Sequence, residues 1–287
     1  MGVSKAQIKE VRSLQMKKFR DELGLFVAEG DKCVEELRKG FELVSLYREG
    51  DNATRTEIEQ MSGLQTPQGT IGVFRKGQRD DVRCTKENLI LALDGVQNPG
   101  NLGTIIRTCD WFGVHDIVCS HDTADCYNPK VVQATMGALS RVRVQYTDLA
   151  EWLKAVSSQH SDVRIYGTLL DGKDMYEELS AVRSQPSAEG SKLKAESSII
   201  IMGNEGNGIS EEVRAMVTHP IRIPSYPKDT ETSESLNVSI ATAIVLAEFR
   251  RRGEETPPGG VLRTATGSPI EQSSSPAQGR GKVKGER

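Results

Sequence analysis

Between Leu89 and Arg252, short apolar runs alternate with segments whose apolar residues recur at helical spacing, and few architectures accept that order. LILALDG, DIVCS, RVRVQY, RIYGTLL, SSIIIMG and IRIPS read as strands. LGTIIRTCDWFG, NPKVVQATMGAL, DLAEWLKAVSSQ, EEVRAMVTH and SLNVSIATAIVLAEFRRR read as helices between or after them. A strand buried on both faces loses polar–apolar alternation, and repeated strand–helix units close into a parallel sheet covered by helices. The fold class is therefore α/β. The last helix is apolar or small on most faces from Leu236 to Ala247, which places it in a core or a subunit interface.

Residues 1–83 read as a smaller α/β unit. IKEVRSLQMKKFRDELG is predicted as one helix stopped by Gly24, LFVAEG as a strand, and DKCVEELRKG as a helix closed by Gly40. FELVSLYREG and TIGVF, the latter after a Pro–Gln–Gly turn, are further strands, and the charged QRDDVRCTKEN reads as a linker. The boundaries expected are 1–83, 84–253, and a tail at 254–287 whose Gly, Pro and Ser content predicts disorder.

Composition narrows the functional classes. No apolar run reaches the roughly 18 residues of a membrane span, and the charged amino terminus lacks the apolar core of a signal peptide, so a cytoplasmic protein is expected. Five scattered cysteines without a CxxC pair point to reduced, buried thiols. HDIVCSHDTADC gathers two His and two Cys, but half of it is strand-like and its spacing fits no common zinc pattern, so no metal is expected. The net charge of −3 carries no signal for nucleic acid as a whole. The first twenty residues do, with Lys5, Lys9, Arg12, Lys17, Lys18 and Arg20 against Glu10 alone, and a local patch of this kind can bind phosphate.

Ligands of an open parallel sheet bind at the carboxyl ends of its strands, and three unusual loops fall there. DGVQNPGNLG (94–103) offers sharp turns and side-chain amides, and Arg107 in the following helix lies off the apolar stripe. GNEGNG (203–208) is spaced GxxGxG rather than GxGxxG; Glu205 would repel a pyrophosphate and IRIPS brings no acidic residue for a ribose. A nicotinamide-dependent oxidoreductase is disfavoured on those grounds. IPSYPKDTETSESLN (223–237) leads into the buried last helix, with Ser235 and Asn237 at its start.

In order, NPGNLGTIIRT, IIIMGNEGNGIS and IP…SESLNVSIATAI resemble the three motifs of the SpoU/TrmH family of RNA ribose methyltransferases, over about residues 89–252. LFVAEGDKCVEE and TPQGTIGVF are similar to that family's RNA substrate-binding domain. The resemblance implies a deep trefoil knot near the carboxyl end, one of the rare exceptions to unknotted topology. It also implies a homodimer with the active site near its interface, and S-adenosylmethionine as methyl donor. By position, backbone groups of Gly203, Ile223 and Leu236 would hold that donor, with Thr168 and Leu169 nearby. The loop after Ile223–Pro224 is a few residues longer than is usual in the family, adding Pro227, Lys228 and Asp229. The implied substrate is structured RNA, with ribosomal RNA favoured. The alternatives are a transfer-RNA 2′-O-methyltransferase and a non-catalytic RNA- or ribosome-binding protein of the same fold.

Carried over to this sequence, the family pattern gives the central role to Arg107, with Asn101, Glu205, Ser235 and Asn237 as partners. An arginine is an awkward base because its pKa exceeds about 12. Arg107 either loses its proton only as the alkoxide forms, or stays charged and stabilises that alkoxide while another group or water takes the proton. Asn101 and Asn237 would orient the ribose and the arginine, and Glu205 would hold Arg107 or an arginine of a partner chain.

Overall fold

The computed structural model describes residues 2–77, 81–84, 89–184, 197–227 and 235–253. The expected tail at 254–287 lies outside them. Residues up to Phe249 form one compact unit; Arg250–Arg287 form a second, in which only the end of the last helix is described.

The amino-terminal part folds as α1 (Lys5–Ser13), α2 (Lys17–Leu23), β1 (Leu25–Glu29), α3 (Asp31–Leu37), β2 (Leu43–Arg48), α4 (Arg55–Met61) and β3 (Thr70–Arg75). Its three strands form an antiparallel sheet in the order β1-β3-β2. The predicted first helix is two helices. The chain breaks at Leu14–Met16, where the buried Arg20 guanidinium donates to the carbonyls of Leu14 and Gln15, both at 2.9 Å. Gly24, at φ 65°, stops α2 as its position suggests. Helix α4 is absent from the predicted elements, although Thr54 and Glu57 form a reciprocal capping box at its start.

The larger part runs β4 (Leu89–Leu93), α5 (Pro99–Trp111), β5 (Asp116–Cys119), α6 (Pro129–Thr135), β6 (Arg143–Tyr146), α7 (Leu149–Gln159), β7 (Arg164–Asp174), α8 (Met175–Ser184), β8 (Ser198–Met202), α9 (Glu211–Arg214), β9 (His219–Arg222) and α10 (Val238–Gly253). The six strands pair in the order β6-β5-β4-β8-β7-β9, every pair parallel, as the alternation of elements predicts. β4 and β8 lie side by side at the centre, and their unbroken apolar runs follow from burial on both faces. β7 extends past the predicted strand to Asp174, rejoining β9 after a register shift between Thr168 and Lys173.

One apolar core lies between this sheet and the smaller one. It joins Phe26, Val34, Leu37 and Phe74 to Leu91, Ile105, Val131 and Leu246. Phe26 contacts Phe41 and Tyr127, with centroids 5.0 and 4.9 Å away. A second core gathers Ile90, Ile165, Ile199 and Ile201 with Leu153 and Val213. Val82 and Cys84 belong to it, so part of the segment predicted as a linker packs on the sheet. Residues 78–80 and 85–88 of that segment lie outside the described residues.

Candidate active site

The chain order in the sheet reverses between β4 and β8. β4 is followed outward by β5 and β6, and β8 is flanked by β7 and then β9. A crevice at the carboxyl ends of strands on either side of such a reversal is where doubly wound sheets hold ligands. The loops after β4 and β8 face each other there and are bonded together.

Asn98 starts the first loop's helix. Its Oδ1 accepts from the amides of Gly100 (2.8 Å) and Asn101 (3.2 Å), and Pro99 fills the first helical position, where no N–H is needed. Asn101 is thereby fixed in the first turn of α5, and Arg107 lies six residues, about 9 Å, further along the axis. In the second loop Asn204 donates from Nδ2 to the Gly95 carbonyl (2.7 Å), while its Oδ1 accepts from Gly206 (2.8 Å) and Asn207 (3.0 Å). Asp94 adds a second tie, accepting the Ser210 amide at 2.7 Å. Gly203 leaves β8 so close to the turn that a Cβ there would lie 2.3 Å from the Gly208 carbonyl carbon, which explains glycine at that position.

Three of the predicted residues form one hydrogen-bonded series. Asn237 Nδ2 donates to Asn101 Oδ1 (3.1 Å), and Asn101 Nδ2 donates to Glu205 Oε1 (2.6 Å). Asn237 Oδ1 meanwhile caps α10, accepting from the Ser239 amide (3.0 Å) and hydroxyl (2.6 Å). Residues distant in sequence, one from each loop, are thus held together. Arg107 stands apart. Its side chain is exposed and has no ion pair or hydrogen bond among the described residues. Among the described residues Glu205 is therefore held by Asn101 rather than by Arg107. Ser235 is exposed and likewise without a described partner, and residues 228–234, including the added Lys228 and Asp229, lie outside the described residues.

The residues expected around the methyl donor occupy three adjacent strand ends. Gly203 follows β8, Thr168 and Leu169 lie in β7, and Ile223 follows β9. Leu236 precedes α10, beside Asn237. The Thr168 hydroxyl is spent on the Ile201 carbonyl at 3.0 Å, so its side chain serves the sheet. The backbone amides and carbonyls of Gly203, Ile223 and Leu236 carry no hydrogen bond among the described residues. Half-buried Leu169 and Ile223 and exposed Leu236 add apolar surface nearby. Free backbone donors and acceptors beside apolar side chains fit an adenosine and methionine skeleton recognised through the main chain.

Some expected residues serve other purposes. Arg20, only 1% exposed, is paired with Asp125. Lys17 bonds to Asp21 at 2.7 Å, and Arg12 donates to the Ser62 carbonyl. Of the basic run, Lys5, Lys9 and Lys18 are left exposed and without an ion pair or hydrogen bond among the described residues, Lys18 lying 6.0 Å from the centroid of the Phe19 ring. The His/Cys stretch splits between β5 and a loop; Cys119 and Cys126 are buried, and burial holds the Cys119 thiol well above its ordinary pKa. Among the described residues no cluster of His, Cys, Asp or Glu could hold a metal ion. Asp94, Asn98 and Asn204, which build the site, are missing from the predicted set. Asn98 was findable, since Asn before Pro at a helix start is a capping pattern; nothing in the pattern of residues singled out Asn204.

Loops joined across a parallel-sheet reversal, with a series of amides and a carboxylate and, six residues along α5 from Asn101, an exposed guanidinium, make the kind of site with which an α/β enzyme can orient and polarise an oxygen nucleophile. Residues 88–247 match the SpoU rRNA methylase family, and residues 5–57 match an MRM3-like substrate-binding domain. The chain belongs to the SpoU rRNA methylase family. It is 28% identical over 260 residues to the 23S rRNA (guanosine(2553)-2′-O)-methyltransferase RlmP of Bacillus subtilis, covering 85% of this chain and 96% of that protein. A Porphyromonas gingivalis structure assigned to the TrmH family of RNA methyltransferases is 35% identical, with a TM-score of 0.73 over 87% of this chain and 99% of that one. The AdoMet-bound rRNA methyltransferase of Sinorhizobium meliloti is 28% identical, with a TM-score of 0.72 over 88% and 98%.

Proposed function

We propose that this chain methylates a ribose 2′-hydroxyl of ribosomal RNA with S-adenosylmethionine as donor. Residues 1–83 engage the RNA and residues 84–253 carry the catalysis. The working form is a homodimer, and the carboxyl-terminal part of the catalytic domain is tied in the family's trefoil knot. The observation that carries the reading is the Asn237–Asn101–Glu205 series at the sheet reversal, with Arg107 exposed on the same helix as Asn101 and without an ion pair among the described residues.

The donor, when bound, supplies a methyl group already activated on a sulfonium. Gly203, Ile223 and Leu236 would hold it by their backbone groups, with Thr168 and Leu169 lining the adjacent strand. What remains for the chain is to orient the hydroxyl and manage one proton. Asn101 and Asn237 use their amides on each other, on Glu205 and on the α10 cap, so they act as a frame. The groups of the site left without a partner among the described residues are the Arg107 guanidinium, the Ser235 hydroxyl and Glu205 Oε2, and these are assigned to the ribose. Arg107 acts as a cation that stabilises the developing alkoxide, in keeping with an exposed guanidinium that pairs with no carboxylate among the described residues. Glu205 Oε2 is an acceptor through which the hydroxyl proton can pass to solvent.

Labelled methyl transfer from S-adenosylmethionine to total RNA lacking modifications tests the reading. Label should appear as a 2′-O-methylnucleotide in ribosomal RNA, and Arg107→Ala should lower turnover by about 10²-fold or more with the fold intact. Label in transfer RNA instead would change the substrate. A protein that binds RNA but transfers no methyl would be the non-catalytic relative.

A further inference from the structure

The amino-terminal part is fastened to the catalytic sheet by a side chain whose partner belongs to the catalytic machinery's own scaffold. Arg20, in α2, is 1% exposed. Its Nη2 and Nε donate to Asp125 Oδ2 at 2.7 and 3.2 Å, and Nη1 takes the two carbonyls at the α1–α2 break. Asp125 lies in the loop between β5 and α6, and its other oxygen accepts the Tyr127 amide at 3.0 Å. One residue earlier, the Ala124 amide donates to the Val96 carbonyl at 3.0 Å. Val96 is in the loop that ends at Asn98, the cap that sets Asn101 and α5. The same two loops meet again where the Gly95 amide donates to Ser120 Oγ at 2.8 Å. Tyr146 braces the connection, donating from its hydroxyl to the Ala124 carbonyl (2.5 Å) and accepting the Cys126 amide (2.7 Å).

We infer that Arg20 is a positioning residue for methyl transfer. Through Asp125 and the Ala124–Val96 bond, it fixes the loop that carries the Asn98 cap relative to the RNA-engaging part. The inference rests on the proposed methyl transfer for its kinetic consequence, while its structural half stands separately. A buried guanidinium with every donor group directed at a fixed acceptor has one arrangement, so a part held by it cannot slide without uncovering a charge. Arg20 itself never reaches the substrate. It acts by keeping reacting groups in register, where a displacement of about 1 Å can cost on the order of 10²-fold in rate.

Amide hydrogen exchange and steady-state kinetics on full-length Arg20→Met, Arg20→Lys, Asp125→Asn and the Arg20→Met/Asp125→Asn double variant test this. Exchange at residues 95–98 and 120–127 should quicken about tenfold or more in Arg20→Met and Asp125→Asn, and the double variant should be no worse than the more affected single one. At temperatures well below unfolding, kcat should fall roughly tenfold to a hundredfold with KM for the donor unchanged, and Arg20→Lys should recover part of it. Faster exchange confined to residues 5–23, with kcat intact, would show Arg20 to be only a structural pin and overturn the inference. Should Arg20→Met not fold, the near-isosteric Asp125→Asn carries the same readouts. A wild-type protein that transfers no methyl would remove the functional reading, and the exchange data would still decide whether Arg20 governs the loop.

Discussion

Arg107 and Asn101 lie on the same helix and answer to different constraints. Arg107 makes no ion pair or hydrogen bond among the described residues, so its replacement should change rate with little effect on stability. Asn101 joins two loops through a 2.6 Å bond to Glu205 and a 3.1 Å bond from Asn237, yet all of this is near the surface. Asn101→Ala should therefore cost roughly 0.5 kcal/mol or less in stability while lowering kcat by on the order of tenfold, because Glu205 and Asn237 lose their common partner. A thermal melt and a rate measured on one preparation separate the two effects; an unchanged rate would sink the frame role. The cysteines make a different residue-scale case. All five are buried, and burial raises the Cys33 thiol to about 11. A raised thiol pKa means that the reactive thiolate is scarce at pH 8 and appears only as the pH nears that value. Native protein at pH 8 should resist a thiol reagent, and unfolding should expose all five cysteines to it.

At the scale of elements, what the sequence makes legible is whatever burial writes in runs. LILAL and SIIIM are buried on both sides, and the structure pairs them side by side at the sheet centre. Elements without such runs escape. The end of β7 is charged, DGKD, and is held by backbone pairing to β9, which leaves no side-chain pattern. Helix α4 is short and mostly polar, and only the Thr54–Glu57 box signals it; α8 follows the charged end of β7 without a break. The break between α1 and α2 is set by a guanidinium arriving from the next turn, a tertiary cause that helical periodicity cannot show. The site divides in the same way. Asn101, Glu205 and Asn237 are each named by the motifs in the sequence, and the structure adds the hydrogen bonds that join them, whereas Asn204 reveals its role only once the Gly95 carbonyl lies opposite it. The Asn98 cap is the element-scale prediction. Asn98→Ala removes two hydrogen bonds at the start of α5 and should cost about 1 kcal/mol, lowering Tm by roughly 2–4 °C. Because Asn101 sits in the turn that this cap sets, methyl transfer should fall more than the small loss of stability explains.

For the whole molecule, charge and placement decide how RNA is met. A net charge of −3 gives no general attraction to a polyanion, so affinity has to come from a local face. The run that looks basic in sequence divides in the structure: Arg20 is buried on Asp125 and Lys17 pairs with Asp21, while Lys5, Lys9 and Lys18 stay exposed. Burial of one arginine among several is invisible in a charge pattern, and here it turns a candidate phosphate contact into a fastening between two parts of the chain. If the exposed lysines touch RNA phosphate, each contact releases condensed counterions. The logarithm of the binding constant should then fall linearly with the logarithm of salt, by about 0.7 to 0.9 per phosphate contacted. Lys9→Gln/Lys18→Gln should flatten that slope by roughly 1.4 to 1.8 and weaken binding to unrelated RNAs alike, since phosphate contacts carry no sequence information. Titrations of wild type and the double variant between low and moderate salt read this directly. An unchanged slope would place the RNA on another face of the amino-terminal part. A flatter slope with undiminished preference for the substrate RNA would mean that these lysines hold the RNA while other groups choose the nucleotide.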